Sequence, residues 1–103
     1  MNSTLPILLK NQKILLVGGG SVALQKAEVL SANNIDFTII SKDFVEDIFF
    51  TTNQIIKKKF HIDDIADYYI IIDATGNEKV TKKLLKYKKT HDILLNVVDV
   101  PEY

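Results

Sequence analysis

Lys13-Ile-Leu-Leu-Val-Gly-Gly-Gly-Ser-Val-Ala23 is the stretch that decides the fold of this chain. An apolar run that ends in glycines is typical of a central parallel strand, buried on both faces, that turns at once into a helix. Gly18 permits the tight turn, Gly20 lets phosphates approach the backbone, and Ala23 allows close packing of the helix on the strand. This spacing predicts a dinucleotide whose pyrophosphate lies at the helix N-terminus. The alternative is a tight strand-to-helix turn that binds no ligand.

Apolar runs and helical patterns alternate along the rest of the chain, as they do in parallel β/α units. The expected strands are 13–17, 37–40, 54–59, 69–73 and 93–98, and the expected helices are 21–32 and 78–89. A short helix or an irregular turn is expected in 43–50, and a single helical turn in 62–66. This order predicts an α/β fold, a Rossmann-type doubly wound parallel sheet with strand order 3-2-1-4-5. Residues 1–103 are expected to form one domain.

Helical periodicity also predicts which side chains face the sheet. In the first helix the expected inward residues are Val22, Ala23, Ala27, Val29 and Leu30. In the second helix they are Val80, Leu84, Leu85 and either Tyr87 or the stem of Lys88. Asn77 is expected to cap the second helix, because its short side chain accepts hydrogen bonds from the first amides of a helix.

Charge and composition exclude several classes of function. The 103 residues carry 13 basic and 13 acidic side chains, so no general attraction to nucleic acid or anionic lipid is expected. No apolar run approaches the length of a membrane span. The chain has no cysteine, which excludes thiolate chemistry and fits the cytoplasm. Its two histidines, His61 and His91, lack metal-ligand spacing, so no metal site is predicted.

The second strand ends in Ile40-Ser41-Lys42-Asp43, where the dinucleotide fingerprint has an acidic residue directly at the strand end. In this chain the first acidic residue, Asp43, follows the strand end only after Ser41 and Lys42. Asp43, or backbone groups of this loop, would contact the adenosine ribose. Lys42 would accommodate a 2′-phosphate, which leaves NAD and NADP both open. The alternative is that both are ordinary loop residues.

Ligands of open α/β sheets bind at the carboxyl ends of the strands. Three segments share that edge: Gly18 to Ser21, Ala74 to Asn77 (which brings Thr75 to the cofactor side) and Asn96 to Asp99. Asp99 would face the region where a nicotinamide meets its substrate, as a proton acceptor or as a partner for a substrate amine. Alternatively, Asp99 ends the strand and accepts N–H groups of the following turn.

Several segments occur together in one order and spacing. They are Leu5-Pro6-Ile7, Ile14 to Ala23 with Lys26-Ala27, Asp73-Ala-Thr-Gly-Asn77, and Asn96-Val-Val-Asp-Val-Pro-Glu102. Taken together they resemble the N-terminal domain of siroheme synthases, the precorrin-2 dehydrogenases. The resemblance implies an oxidoreductase of siroheme biosynthesis that converts precorrin-2 to sirohydrochlorin with NAD as cofactor. It also implies a tetrapyrrole as substrate, and ferrochelatase activity in some members.

The resemblance implies roles for individual residues as well. Ser21 and Val22 would contact the dinucleotide, Lys42 and Asp43 would form the adenosine-side loop, and Asp99 matches the aspartate that the family needs for activity. That aspartate acts as a general base or positions the substrate. After Ala-Thr the family usually carries acidic residues, whereas this chain has Gly76-Asn77.

The family continues past Pro101-Glu102 into a helical dimerisation segment that completes the tetrapyrrole cavity. The 103-residue chain alone is therefore expected to bind NAD with weak or absent turnover, and to form a homodimer only with that segment. The rival hypothesis is a non-catalytic Rossmann module that senses nucleotides, as in domains that gate ion transporters. Such a module has no need of the Asn96 to Glu102 ending.

Overall fold

The computed structural model describes residues 13–52 and 54–98, which form one parallel sheet with helices on both faces. Its strands are β1 (Ile14–Val17), β2 (Thr38–Ser41), β3 (Ile55–Lys57), β4 (Ile70–Asp73) and β5 (Leu94–Val97). All neighbouring strands are parallel, and their order is β3-β2-β1-β4-β5. The predicted Rossmann-type sheet of order 3-2-1-4-5 is confirmed.

Two α-helices and two 3₁₀ helices connect the strands. Helix α1 (Ser21–Ala32) follows β1 directly, and helix α2 (Glu78–Lys88) lies between β4 and β5. The 3₁₀ helices cover Glu46–Phe50, where the sequence allows a short helix or an irregular turn, and Ile62–Ile65, where it predicts a helical turn. Within the described residues no helix is long and apolar enough to cross a membrane.

Side chains cap two of these helices. The Asn77 Oδ1 atom accepts hydrogen bonds from Lys79 N at 2.9 Å and Val80 N at 3.4 Å, which confirms the predicted cap of α2. His61 begins the second 3₁₀ helix, and its amide donates to the Asp64 carboxylate. Burial by itself raises the pKa of Asp64, but the hydrogen bonds from Lys58 and the His61 amide, with the nearby positive charges, lower that pKa overall.

Each face of the sheet buries its own core. On one face Ile14, Leu16 and Ile39 pack with Ala23 and Ala27 of α1. On the other face, Leu15, Val17 and Ile71 pack with Leu84 of α2 and with Ile65. All four residues of β1 are buried, because this central strand contributes alternate side chains to both cores. An uninterrupted apolar run is what such a strand needs.

The prediction of which helix side chains face the sheet is wrong at one residue in each helix. Val29 of α1 is 58% exposed and Leu85 of α2 is 47% exposed. Successive residues of a helix are about 100° apart, so Leu85 turns outward once Leu84 points at the sheet. In α1 the fully buried residues are Ala23 and Ala27, and Val29 lies too far round the helix to join them.

Leu84 and Leu85 make a matched pair for testing this packing. We expect Leu84→Ala to lower the free energy of unfolding by about 2–5 kcal/mol, because it opens a cavity in a core where Leu84 is 0% exposed. Leu85→Ala removes a half-exposed side chain and should cost about 1 kcal/mol or less. Urea titration followed by circular dichroism measures both, and equal losses would contradict this orientation of α2.

Candidate functional site

Gly18 joins the end of β1 to the strands on both sides of it. Its amide donates to Ile40 O at 3.0 Å, and a Cβ at this position would lie 2.6 Å from Ala74 O. Its φ is +131°, a conformation that disfavours any residue with a side chain. The tight turn that the sequence assigns to Gly18 is therefore also a close contact between backbones.

Gly19 has a role that the sequence analysis missed. A Cβ here would lie 1.9 Å from Asp43 O and 2.9 Å from Ser41 Oγ. The Gly19 carbonyl in turn accepts a hydrogen bond from Val45 N at 2.8 Å. The dinucleotide fingerprint allows any residue between its first two glycines, so the only signal in the sequence was the third consecutive glycine.

Gly20 differs from both, because apart from its two chain neighbours no residue has an atom within 4 Å of the position of its missing Cβ. It is the N-cap of α1 and makes no side-chain capping bond. The first intrahelical bond runs from Leu24 N to Gly20 O at 2.9 Å, so the amides of residues 21–23 have no partner within the helix. The packing of the protein does not require a glycine here, whereas a ligand lying against the backbone would.

These glycines form the floor of an open cleft of about 370 Å³ at the carboxyl edge of the sheet. The residues lining it come from the ends of β1, β2 and β4, from the loop after β3 and from the first turns of α1 and α2: 17–22, 40–42, Lys59, Phe60, 74–77 and Val80. The structure therefore brings together six of the predicted site residues: Gly18, Gly20, Ser21, Val22, Lys42 and Thr75.

The structure places Asp43 differently from the other predicted cofactor residues. Asp43 does not line the cleft, and its carbonyl oxygen lies behind the glycine turn against Gly19. The side chain is exposed at the surface. Asp43 therefore supports the turn through its backbone. Asp99, the predicted catalytic residue, lies outside the described residues.

Lys59 and Phe60 line the cleft although the sequence analysis did not select them. They follow β3 as Lys42 follows β2, and Ser41 O accepts a hydrogen bond from Lys58 N at 3.0 Å, which holds the two strand ends side by side. The sequence suggested only an edge strand with lysines. Their position became visible once the β2–β3 register was known.

The electrostatics of the cleft favour an anion. Among the described lining residues there is no aspartate or glutamate, while Lys42 and Lys59 are both exposed there. The N-terminus of α1 adds its unpaired amides and the positive end of the helix dipole. No group of three possible metal-ligating side chains occurs in the described residues. The site can therefore hold a phosphate-bearing ligand with backbone donors and lysines.

A parallel sheet of this order, with a glycine turn that opens a helix onto a cleft, defines a Rossmann-type nucleotide-binding domain. The chain belongs to the NAD_binding_7 family of NAD(P)-binding domains, whose family model matches residues 5–103.

Curated relatives agree with the resemblance predicted from the sequence. The siroheme synthase of Tolumonas auensis is 30% identical over 96 residues, which cover 91% of this chain and 20% of the relative. The siroheme synthase of Ruthia magnifica subsp. Calyptogena magnifica is 32% identical over 104 residues, covering 95% of this chain and 22% of the relative. The chain thus spans about a fifth of the length of these relatives.

Solved structures share the fold. The precorrin-2 dehydrogenase SirC superposes with a TM-score of 0.70 at 23% identity, covering 91% of this chain and 48% of that one. The tRNA N6-threonylcarbamoyladenosine dehydratase TcdA of E. coli, in complex with AMP, gives a TM-score of 0.71 at 20% identity, covering 91% and 53%. At these identities the likeness concerns the fold alone.

The different surroundings of Gly19 and Gly20 lead to a stability test. Gly19→Ala pushes a methyl group into the Asp43 carbonyl, and we expect a loss of about 1–3 kcal/mol in the free energy of unfolding. Gly20→Ala enters open space and loses only N-cap preference, about 1 kcal/mol or less. Thermal and urea unfolding measure both variants. A Gly20→Ala protein less stable than Gly19→Ala would contradict the geometry of the turn.

Proposed function

We propose that this chain binds a nicotinamide dinucleotide in the cleft, with the pyrophosphate against Gly20 and the amides that open α1. The observation that carries this proposal is the empty space at Gly20, which the packing of the protein leaves unexplained. Membership of an NAD(P)-binding family supports it. The helix dipole and unpaired amides stabilise the pyrophosphate charge without a metal ion.

The cleft also suggests which way the dinucleotide lies. In folds of this kind the adenosine lies over the second strand and the nicotinamide over the fourth. Lys42, Lys59 and Phe60 surround the adenosine end in this orientation, and Thr75 lies at the nicotinamide end. We propose NAD as the cofactor, as the family resemblance implies. Titration with NADP tests that choice directly, since Lys42 and Lys59 face the end that would carry a 2′-phosphate.

We further propose that the dinucleotide serves the oxidation of precorrin-2 to sirohydrochlorin. The support is the similarity to siroheme synthases and the shared fold with a precorrin-2 dehydrogenase. The reaction removes a hydride and a proton from the tetrapyrrole, and the bound nicotinamide supplies the hydride acceptor. Asp99 would take the proton or position the substrate. Val98, the residue before Asp99 in the sequence, donates its amide to Asp73 O at 2.9 Å at the carboxyl end of β4.

The tetrapyrrole cavity and the homodimer are proposed for a longer protein. The described part of the chain provides the cleft at the glycine turn, and the siroheme synthases that it matches are about five times as long. The 103-residue chain is accordingly proposed to bind the dinucleotide and to turn over precorrin-2 weakly or not at all by itself.

Dinucleotide binding is tested by calorimetric titration of the chain with NAD, NADH and NADP. We expect saturable binding of NAD and NADH, and a loss of about tenfold or more in affinity in Gly20→Ala, because the added methyl group stands between the backbone and the pyrophosphate. Lys57→Ala is the matched control, since this exposed β3 lysine does not line the cleft. Absence of binding by the unmodified chain, or equal affinities of Gly20→Ala and the control, would refute the proposed site.

Testing the role of Asp99 requires a protein that also carries the dimerisation segment of the family. A suitable one is a chimera in which this chain replaces the matched 96 residues of the Tolumonas auensis siroheme synthase. We expect an NAD-dependent absorbance change with precorrin-2, abolished by Asp99→Ala with NAD affinity kept within a few-fold. Turnover that survives this substitution would remove Asp99 from the mechanism. A chimera that binds NAD without any turnover would instead favour a nucleotide-sensing module.

A further inference from the structure

The carboxylate of Asp73 is buried next to the cleft without lining it. Asp73 is the last residue of β4, in register with Val17 at the end of β1, and is 1% exposed. It is the one buried charged residue of the described chain. A carboxylate is costly to bury, so it is retained only where several hydrogen bonds compensate for the lost water.

Both oxygens of this carboxylate accept hydrogen bonds from the segment that follows β4. Asp73 Oδ1 accepts from Thr75 N at 3.0 Å and from Thr75 Oγ1 at 2.7 Å. Asp73 Oδ2 accepts a short hydrogen bond from Thr81 Oγ1, in the first turns of α2. Asp73 thereby joins the end of a strand to the helix that comes next in the chain.

The same hydrogen bonds close into a ring through Asn77. The Thr75 hydroxyl accepts from Asn77 N at 3.0 Å, and Asn77 O accepts from Thr81 N at 3.0 Å. Thr75 and Asn77 of the turn 74–77 are thus linked by hydrogen bonds to Asp73 and Thr81. The ring also explains Gly76, whose φ of +62° lets the turn reverse between Thr75 and Asn77.

The turn that this ring holds is one wall of the cleft. Residues 74–77 and Val80 line it on the β4 side, opposite Lys42 and Lys59. Asp73 and Thr81 do not line it. Since the Thr75 hydroxyl donates its proton to Asp73, Thr75 meets a ligand mainly through its methyl group, its carbonyl and its remaining acceptor site.

We infer that Asp73 and Thr81 are positioning residues that set the nicotinamide half of the site by fixing the turn 74–77. This inference rests on the proposed dinucleotide binding. Neither residue touches the ligand, and both act through Thr75 and Asn77. Loss of the ring of hydrogen bonds should lower the affinity for ligands that reach the β4 side of the cleft. Ligands confined to the glycine turn and the β2 side should keep their affinity.

Two ligands distinguish this role from a general contribution to stability. NADH spans the whole cleft, whereas ADP carries only the adenosine and the pyrophosphate. We expect Thr81→Val, which removes one hydroxyl at constant size, to weaken NADH binding about tenfold. We expect ADP affinity to stay within about twofold. Thr81→Ser restores the hydroxyl and should restore NADH affinity.

A matched control and a milder variant keep the test decisive. Thr90→Val removes a hydroxyl that bonds Tyr87 O beyond the end of α2 and should change neither affinity. If Thr81→Val unfolds, Thr81→Ala removes the same hydroxyl without placing a methyl group against the Asp73 carboxylate and serves in its place. Equal effects on NADH and ADP, or no effect on either, would overturn the inference while leaving dinucleotide binding intact. Failure of the unmodified chain to bind either ligand would instead refute the proposed function.

Discussion

The structure depends on close contact between backbones at Gly18 and Gly19. One glycine lies against the Ala74 carbonyl after β4 and the other against the Asp43 carbonyl after β2. A single methyl group at either position would overlap a backbone oxygen, which cannot turn away as a flexible side chain can. The consecutive glycines therefore let the ends of three strands meet at one point of the sheet edge.

The cleft is a consequence of this convergence. The loops after β2 and β4 pack against Gly19 and Gly18, while Gly20 and the first amides of α1 are left facing the opening. Lysines follow the strands on one side, and a hydrogen-bonded turn anchored on Asp73 stands on the other. An anionic group bound in the middle of the cleft would contact the backbone donors and the helix dipole. The groups on either side of that anion would contact the lysines at one end of the cleft and the turn 74–77 at the other. This asymmetry is what a dinucleotide requires.

Much of this fold was predictable because its signals are local. The apolar run of β1, the glycines after it and the alternation of runs and helical patterns specify element type and order, and parallel β/α units leave few topologies. Asn77 was predictable as a cap for the same reason. The prediction of which helix residues face the sheet was less accurate. Periodicity indicates the centre of the buried face of a helix but not how far that face extends, and Val29 and Leu85 lie outside it.

What the sequence did not reveal depends on contacts between distant residues. The expectation that Asp43, or backbone groups of its loop, contacts the ribose stays a prediction, whereas no motif indicated that the Asp43 carbonyl lies close to Gly19. Lys59 and Phe60 enter the cleft through the β2–β3 register, and the Asp73–Thr81 contact joins residues on different elements. No spacing rule for short motifs covers such pairs.

The most direct test of the central claim is the set of backbone amide chemical shifts during titration of the isotope-labelled chain with NADH. We expect the largest shifts at Gly20, Ser21, Val22 and Ala23, with further shifts in 74–77 and at Lys42, and little change at the opposite, amino edge of the sheet. Absence of shifts at saturating NADH, or shifts concentrated away from the glycine turn, would contradict the central claim.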